Sequence, residues 1–239
     1  MASNDAAAPG HVASGAAALL DIEGTITPIA FVKETLFPYA RARLARYVTA
    51  NQSQPIVAAQ MAEVAKLTGG ARPDAVAAIH TLLQWSDEDR KVTPLKALQG
   101  LIWREGYESG AIRAPVFADA VRQMQAWSAR RVPIYIYSSG SVAAQKLLLR
   151  YSDHGDLLPL CAGYFDTTVG PKLEASSYRQ IASAIGKPAE SVVFFSDHVG
   201  ELIAARGGGM AAVRLERAGE VPPTAETWPA PTLTTFSGQ

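Results

Sequence analysis

Four short stretches place chemistry-bearing residues where an apolar run or a loop ends. Asp21-Ile22-Glu23-Gly24-Thr25 follows the apolar run 16–20, and Ser138-Ser139-Gly140-Ser141 follows the run 132–137. Lys172 sits in the loop 167–174, just after Gly170 and Pro171, and Ser196-Asp197-His198 follows the run 192–195. A buried parallel strand reads as a short apolar run. Ligand sites of open α/β sheets lie just beyond the carboxyl ends of such strands. Asp21 and Asp197 therefore belong at the same sheet edge. Each stretch alone also has an ordinary reading: an Asp/Gly turn, a serine helix cap, a solvated surface lysine. Their combination is far more specific than any one of them.

The chemistry that this set could perform is phosphoryl transfer. A carboxylate nucleophile can accept a phosphoryl group and form an aspartyl-phosphate, and Asp21 is placed for that role. Carboxylates crowded at one edge repel one another unless a cation sits between them. A hard, oxygen-rich site with few carboxylates suits Mg2+. That ion and Lys172 would neutralise the charge spreading over the phosphoryl oxygens. Ser138, Ser139 and the neighbouring N–H groups would hold those oxygens, as a strand-to-helix turn does for anions. Glu23, two residues beyond Asp21 on the same face of an extended segment, could protonate the leaving oxygen and then activate water. His198 reads as structural, Glu201 as the acidic start of the next helix with a contact to the metal's water shell also open, Ser176 as a helix N-cap, and Cys161 as core filler.

These residues need a scaffold that alternates strand and helix. Strand-like runs occupy 16–20, 132–137, 192–195 and 210–213, with a short piece near Tyr164-Phe165. Helical periodicity covers 118–129, 142–151, 176–185 and 199–205. That alternation predicts an α/β fold: a doubly wound, Rossmann-like parallel sheet. Between the first two strands the pattern turns helical, at 42–50, 56–67, 73–85 and 95–103. A crossover of that length is an inserted domain, not an ordinary connection. The expected organisation is a catalytic core of 15–30 and 116–239, an all-helical cap of 31–115, and a disordered tail of 1–14. The cap leaves right after the Asp21 stretch and is expected to act as a lid. The proline-rich segment from Val221 is expected to pack, with a short last strand or helix at 232–236.

The chain has 239 residues, 48% hydrophobic, with 22 Lys plus Arg against 22 Asp plus Glu. That is enough for one sizeable core. The zero net charge gives no sign of a nucleic-acid or acidic-membrane partner. One cysteine cannot form an internal disulfide, which fits a reducing compartment. No apolar run approaches a membrane span, and the first fifteen residues lack a signal-peptide pattern. A cytoplasmic monomer acting on a small molecule is the expectation.

In their order along the chain, Asp21, Ser138, Lys172 and Asp197 resemble the motifs of the haloacid-dehalogenase-like hydrolases. Most phosphatase members carry Asp where this chain has Glu23, and that departure points to one branch. Phe31-Val32-Lys33, Leu36-Phe37-Pro38-Tyr39, Asp87-Glu88-Asp89-Arg90-Lys91 and Gln99-Gly100-Leu101-Ile102-Trp103 closely resemble the enolase-phosphatase branch of methionine salvage. The resemblance spans about residues 17–215 and is weakest after Asp197. It implies a bifunctional enzyme with one Mg2+ per subunit, acting on 2,3-diketo-5-methylthiopentyl-1-phosphate. The enzyme would enolise the diketone, then remove phosphate to leave the acireductone 1,2-dihydroxy-3-keto-5-methylthiopentene. It makes Asp21, Glu23 and Asp197 metal positions, and Ser138, Ser139 and Lys172 substrate positions. Glu23 could serve the metal by its carbonyl or its carboxylate, and it is the candidate base for enolisation. Phe31, Phe37 and Trp103 are candidate walls for the methylthio tail or, equally, plain core.

Two other readings stay open from the sequence. One is a generic sugar- or nucleotide-phosphate phosphatase on the same scaffold. The other is a non-catalytic phosphate-binding protein, against which Asp21, Glu23, Lys172 and Asp197 argue together. A metal-free dehalogenase fits poorly, because no Arg compensates the clustered carboxylates.

Overall fold

Ala17, Ala18, Leu19 and Leu20 have no solvent-exposed surface. A strand buried on both faces shows no alternation in its sequence, which is why this run reads as uniformly apolar. It forms β1 (Ala17–Leu20) in the computed structural model, which describes residues 12–70, 74–220, 227–230 and 232–236. The other strands are β2 (Ile134–Tyr137), β3 (Gly163–Phe165), β4 (Val192–Ser196), β5 (Ala211–Leu215) and β6 (Thr232–Leu233). They form a sheet of order β3-β2-β1-β4-β5-β6, and each neighbouring pair is parallel.

The register decides what meets at the sheet edge. Leu20 is level with Ile136 of β2 on one side and Phe195 of β4 on the other. The segments after these three strands therefore leave the sheet side by side, at the strand spacing of about 4.8 Å. The chain runs from β1 outward to β2 and β3, then returns past β1 to β4. Such a reversal opens a crevice at the carboxyl ends of the strands.

The chain divides into two units: Ala30–Arg113, and Met1–Ile29 with Ala114–Gln239. In the first, a wide π-type turn (Phe31–Leu36) runs into α1 (Phe37–Asn51), followed by α2 (Pro55–Leu67), α3 (Ala75–Asp87) and α4 (Thr93–Glu108). Leu44, Val48, Val57, Leu82 and Leu98 make its core. α1 begins well before residue 42, because Pro38 lies in the first turn, where a missing N–H costs nothing. Trp103 donates from its indole to the Leu36 carbonyl at 2.7 Å, and its ring lies 6.0 Å from that of Phe37. Those contacts are internal packing of the helical unit.

In the other unit, α5 (Ala118–Ala129), α6 (Val142–Arg150), α7 (Ala175–Ile185) and α8 (Val199–Gly207) accompany the sheet. Tyr137, Tyr178 and Phe194 pack together within one cluster, and Trp127, Phe195 and Phe236 form a second aromatic group. Ser176 is not the N-cap of α7. Glu174 occupies that position, because a turn closing from Glu174 N–H to the Pro171 carbonyl ends one residue before the helix begins. The predicted tail of 1–14 falls outside the described residues up to residue 11, as do Val221, Pro222, Pro223 and Pro231. Among the described residues no helix is long and apolar enough to cross a membrane.

Candidate active site

Asp21 extends the ladder one step past β1, its N–H donating to the Phe195 carbonyl at 2.9 Å. The chain then coils tightly. The Ile22 carbonyl accepts from the N–H groups of Thr25, Ile26 and Thr27 at 3.2, 2.9 and 3.0 Å. Glu23 pairs with Thr27 in an isolated parallel bridge, flanked by the bonds from Gly24 N–H to the Thr27 carbonyl at 2.8 Å and from Thr27 N–H to the Ile22 carbonyl. Gly24 turns the loop with φ +70° and passes hard against Asp197. A Cβ there would stand 2.6 Å from the Asp197 Cγ, so only glycine fits. The Asp197 N–H in turn donates to Thr25 Oγ1 at 3.2 Å.

Lys172 is aimed by its own loop. Tyr137, Ser177 and Tyr178 donate their hydroxyls to the carbonyls of Gly170, Pro171 and Lys172 at 2.9, 2.7 and 2.8 Å. With three successive carbonyls held, the ammonium reaches Asp21 Oδ1 at 2.6 Å and Glu201 Oε2 at 2.7 Å. Asp21 Oδ1 also accepts from the Ile22 N–H at 2.8 Å. The Ser196 hydroxyl lies 3.2 Å from Asp21 Oδ2 and 3.1 Å from Glu201 Oε2, and can donate to one of them at a time. Its oxygen accepts from the His198 N–H at 3.1 Å. His198 is structural here: its Nδ1 caps α8 by accepting from the Glu201 N–H at 3.4 Å.

Glu201 was missed as a site residue. The sequence places it in the first turn of α8, where an acid suits the helix dipole or reaches the water shell of a metal, and the structure buries its side chain and pairs it with Lys172. The available signal was its spacing from Asp197: residues four apart around a helix start share a face. Ser196 carried no signal beyond ending an apolar run.

Two carboxylates, Asp21 and Glu201, thus pair with one ammonium, and Asp197 is close enough to feel the charges of Asp21 and Lys172. Burial opposes the charge on Lys172, but Asp21 and Glu201 outweigh it and hold the ammonium above the usual lysine range. Burial and the neighbouring Asp21 charge push the Asp197 carboxyl up to about 7. The same two causes raise Glu201 well above the usual carboxylate range, against the pull of Lys172. Carboxyls pushed up in this way mark a deficit of positive charge. The donors are all oxygen, which is the set a hard divalent cation prefers. The residues therefore fit Mg2+. Among the described residues no group of three His, Cys, Asp or Glu side chains is poised to hold an ion. Of the expected metal positions, Asp21 and Asp197 follow neighbouring strands, and Glu23 lies in the loop that Gly24 turns against Asp197.

Ser138 follows β2 directly and is buried; its Oγ accepts from the Gly140 N–H at 3.1 Å. Ser139 is exposed. The loop is braced from below by Gln145, whose amide donates to the carbonyls of Gly140 and Phe165 at 2.8 Å each. Ser141 caps α6 through the Ala144 N–H at 3.3 Å.

A parallel sheet with an aspartate just past its central strand, a lysine paired to it and a second aspartate past the adjacent strand defines a haloacid dehalogenase-like hydrolase. The model of that family matches residues 16–209. At finer grain, the chain is 51% identical over 203 residues to enolase-phosphatase E1 of Pseudomonas aeruginosa strain UCBPP-PA14, covering 85% of this chain and 90% of that one. It is 51% identical over 210 residues to enolase-phosphatase E1 of Granulibacter bethesdensis, covering 87% and 89%. The crystal structure of the UTR4 protein of Saccharomyces cerevisiae superposes with a TM-score of 0.75 at 37% identity, covering 93% of this chain and 98% of that one. The chain belongs to the enolase-phosphatase E1 family of haloacid dehalogenase-like hydrolases.

Proposed function

We infer that the chain is the enolase-phosphatase of methionine salvage. It converts 2,3-diketo-5-methylthiopentyl-1-phosphate to the acireductone 1,2-dihydroxy-3-keto-5-methylthiopentene and phosphate. The observation that carries the reading is Lys172 set between Asp21 and Glu201, with Asp197 alongside at the next strand end. The identity of about half to enolase-phosphatases over most of the chain supports the substrate class.

In the first half-reaction a base removes a C1 proton, which is acidic because C1 neighbours the C2 ketone, and the electron pair moves onto the ketone oxygen. Glu23 is the base. In the second, one oxygen of Asp21 attacks phosphorus. The bond to the C1 oxygen breaks, and that oxygen takes the proton carried by Glu23. Lys172 holds Asp21 Oδ1 at 2.6 Å and lies beside the phosphoryl oxygens as their charge develops. Ser138, Ser139 and the N–H groups of their loop hold those oxygens. Water activated by Glu23 then attacks phosphorus, the aspartyl bond breaks, and the proton that Glu23 takes from water passes to the C2 oxygen, which completes the 1,2-dihydroxy product.

Asp21 and Asp197 would hold Mg2+ by their carboxylates and Glu23 by its backbone carbonyl. When bound, the ion supplies charge neutralisation at the attacking carboxylate and the phosphoryl group. Division of labour within Glu23, carbonyl to the metal and carboxylate to the proton, agrees with the coiled loop. The single thiol and balanced charge support a cytoplasmic monomer. The direct test supplies the diketone phosphate with Mg2+ and follows phosphate release together with the absorbance of the enol. Both signals are expected, and both should vanish with a chelator. Phosphate release from sugar or nucleotide monophosphates in preference to the diketone would overturn the substrate assignment.

A further inference from the structure

We propose that Arg217 is a positioning residue for phosphoryl transfer, acting on the catalytic loop through the carbonyl of Thr25. The proposal rests on the reading of Asp21 as nucleophile and Asp197 as its partner. Arg217 follows β5 and is 5% exposed, a burial that a guanidinium tolerates only when its donors are satisfied. Its Nε and Nη2 both donate to the Thr25 carbonyl, at 2.9 and 2.6 Å. Nη1 donates to Asp119 Oδ2 at 2.7 Å and reaches the Thr234 carbonyl at 3.4 Å. The plane of the group lies against the rings of Phe117 and Phe236, 4.5 and 5.1 Å from their centroids. Asp119 Oδ2 also accepts from the Phe236 N–H at 2.8 Å, so the anchoring carboxylate is itself held.

The bonded carbonyl belongs to the residue that ties the loop to Asp197. Thr25 accepts the Asp197 N–H through its hydroxyl, and the preceding Gly24 is the backbone that touches the Asp197 carboxylate. Three residues beyond Arg217, Glu220 accepts the Ile29 N–H at 2.9 Å. The turn after β5 therefore grips the segment 25–29 at both ends. Asp21 and Asp197 start from neighbouring strands, and besides its own turn bonds the loop between Asp21 and Thr27 is tied by the Thr25 hydroxyl to the Asp197 N–H at 3.2 Å and by the Ile26 carbonyl to the Phe117 N–H at 2.9 Å. The two-pronged bond from Arg217 is the charged contact among these, and it fixes the Thr25 backbone from the side of β5. A lysine could supply charge there but not the planar fork.

The test compares wild type with Arg217→Lys and Asp119→Asn, the latter keeping an oxygen for Nη1 and for the Phe236 N–H. Arg217→Ala is avoided because it would leave Asp119 unpaired and could prevent folding. Each variant is checked for native circular dichroism at the assay temperature. kcat and KM are then measured for phosphate release, with inhibition constants for orthovanadate and inorganic phosphate. Orthovanadate mimics the five-coordinate phosphorus of the transition state, and phosphate mimics a ground state. Arg217→Lys is expected to lower kcat about ten- to a hundredfold, as displacements near an ångström do, with KM within about twofold. The vanadate constant should rise by a similar factor while the phosphate constant stays put. Asp119→Asn should show the same split, smaller. Partial unfolding would lower kcat but leave both constants unchanged, so that outcome overturns the proposal, as does an Arg217→Lys enzyme with wild-type kcat. Asp21→Asn serves as the control: turnover surviving there refutes the nucleophile assignment, whatever Arg217 does.

Discussion

Lys172 and Asp21, 151 positions apart in the chain, meet in a 2.6 Å charge-assisted hydrogen bond. Both side chains are less than a tenth exposed, so water screens the contact little. The pair fixes the orientation of the Asp21 carboxylate, with Oδ1 held by the ammonium and by the Ile22 N–H. Replacing Lys172 with Met should lower kcat by about a hundred- to a thousandfold, the range for removing one preorganised charge from a reacting centre. Arginine should not restore it, since a planar fork cannot take the place of a compact ammonium bridging two carboxylates. Steady-state phosphate release on purified, folded variants decides the point. A Lys172→Arg enzyme near wild-type rate would show that positive charge alone suffices.

Gly24 offers a steric test of the loop. Its φ of +70° disfavours any side chain, and an added Cβ would overlap the Asp197 carboxylate. Gly24→Ala should cost about 1–2 kcal/mol in unfolding free energy from the backbone alone. It should also lower activity far more than that loss of stability explains, because Asp197 must move. Urea unfolding paired with kcat separates the two effects. Full activity in a destabilised variant would place Asp197 outside the reaction.

The pair of half-buried Asp119 and buried Arg217 makes stability depend on acid in a defined direction. Burial works against the Asp119 charge, yet the hydrogen bond from Arg217 prevails and holds the carboxyl below its usual range. A carboxyl lowered on folding contributes in full above its unfolded value of about 3.9 and loses that contribution as pH falls through the folded value. Asp119→Asn should therefore unfold about 1–3 kcal/mol more easily at pH 7, the worth of a hydrogen bond to a charged group. The gap to wild type should narrow steadily below about pH 4. Urea midpoints at pH 7, 5, 4 and 3 provide the comparison. A gap that is constant, or widens in acid, would remove the ion pair from the stability of the fold.

What the sequence made legible follows from physics that is local. Uniform burial of β1 and β4 writes itself as apolar runs, and the residues that end those runs, Asp21 and Asp197, could be placed at one edge without coordinates. Helical periodicity similarly exposed the unit that comprises Ala30–Arg113. Contacts that depend on how the chain turns after a strand were not legible. Nothing in the five residues after β1 shows that the Ile22 carbonyl gathers three N–H groups or that Glu23 bridges to Thr27. The position of Glu201 at a helix start points to the dipole or to a metal's water shell, and its reach back to Lys172 shows only in the fold. Arg217 lay in a stretch that looked divergent, and its partners Asp119, Thr25 and Thr234 are brought to it only by the folded sheet.

The most direct measurement of the central chemistry is to catch the phosphorylated enzyme. Turnover of the diketone phosphate is stopped with borohydride, which reduces an acyl-phosphate to an alcohol and so converts the aspartate that carried it to homoserine. Mass spectrometry of the peptide containing residues 16–30 should find homoserine at position 21, dependent on substrate and absent from Asp21→Asn. Homoserine at any other aspartate, or unmodified Asp21 in samples releasing phosphate at full rate, would contradict the assignment of Asp21 as the nucleophile.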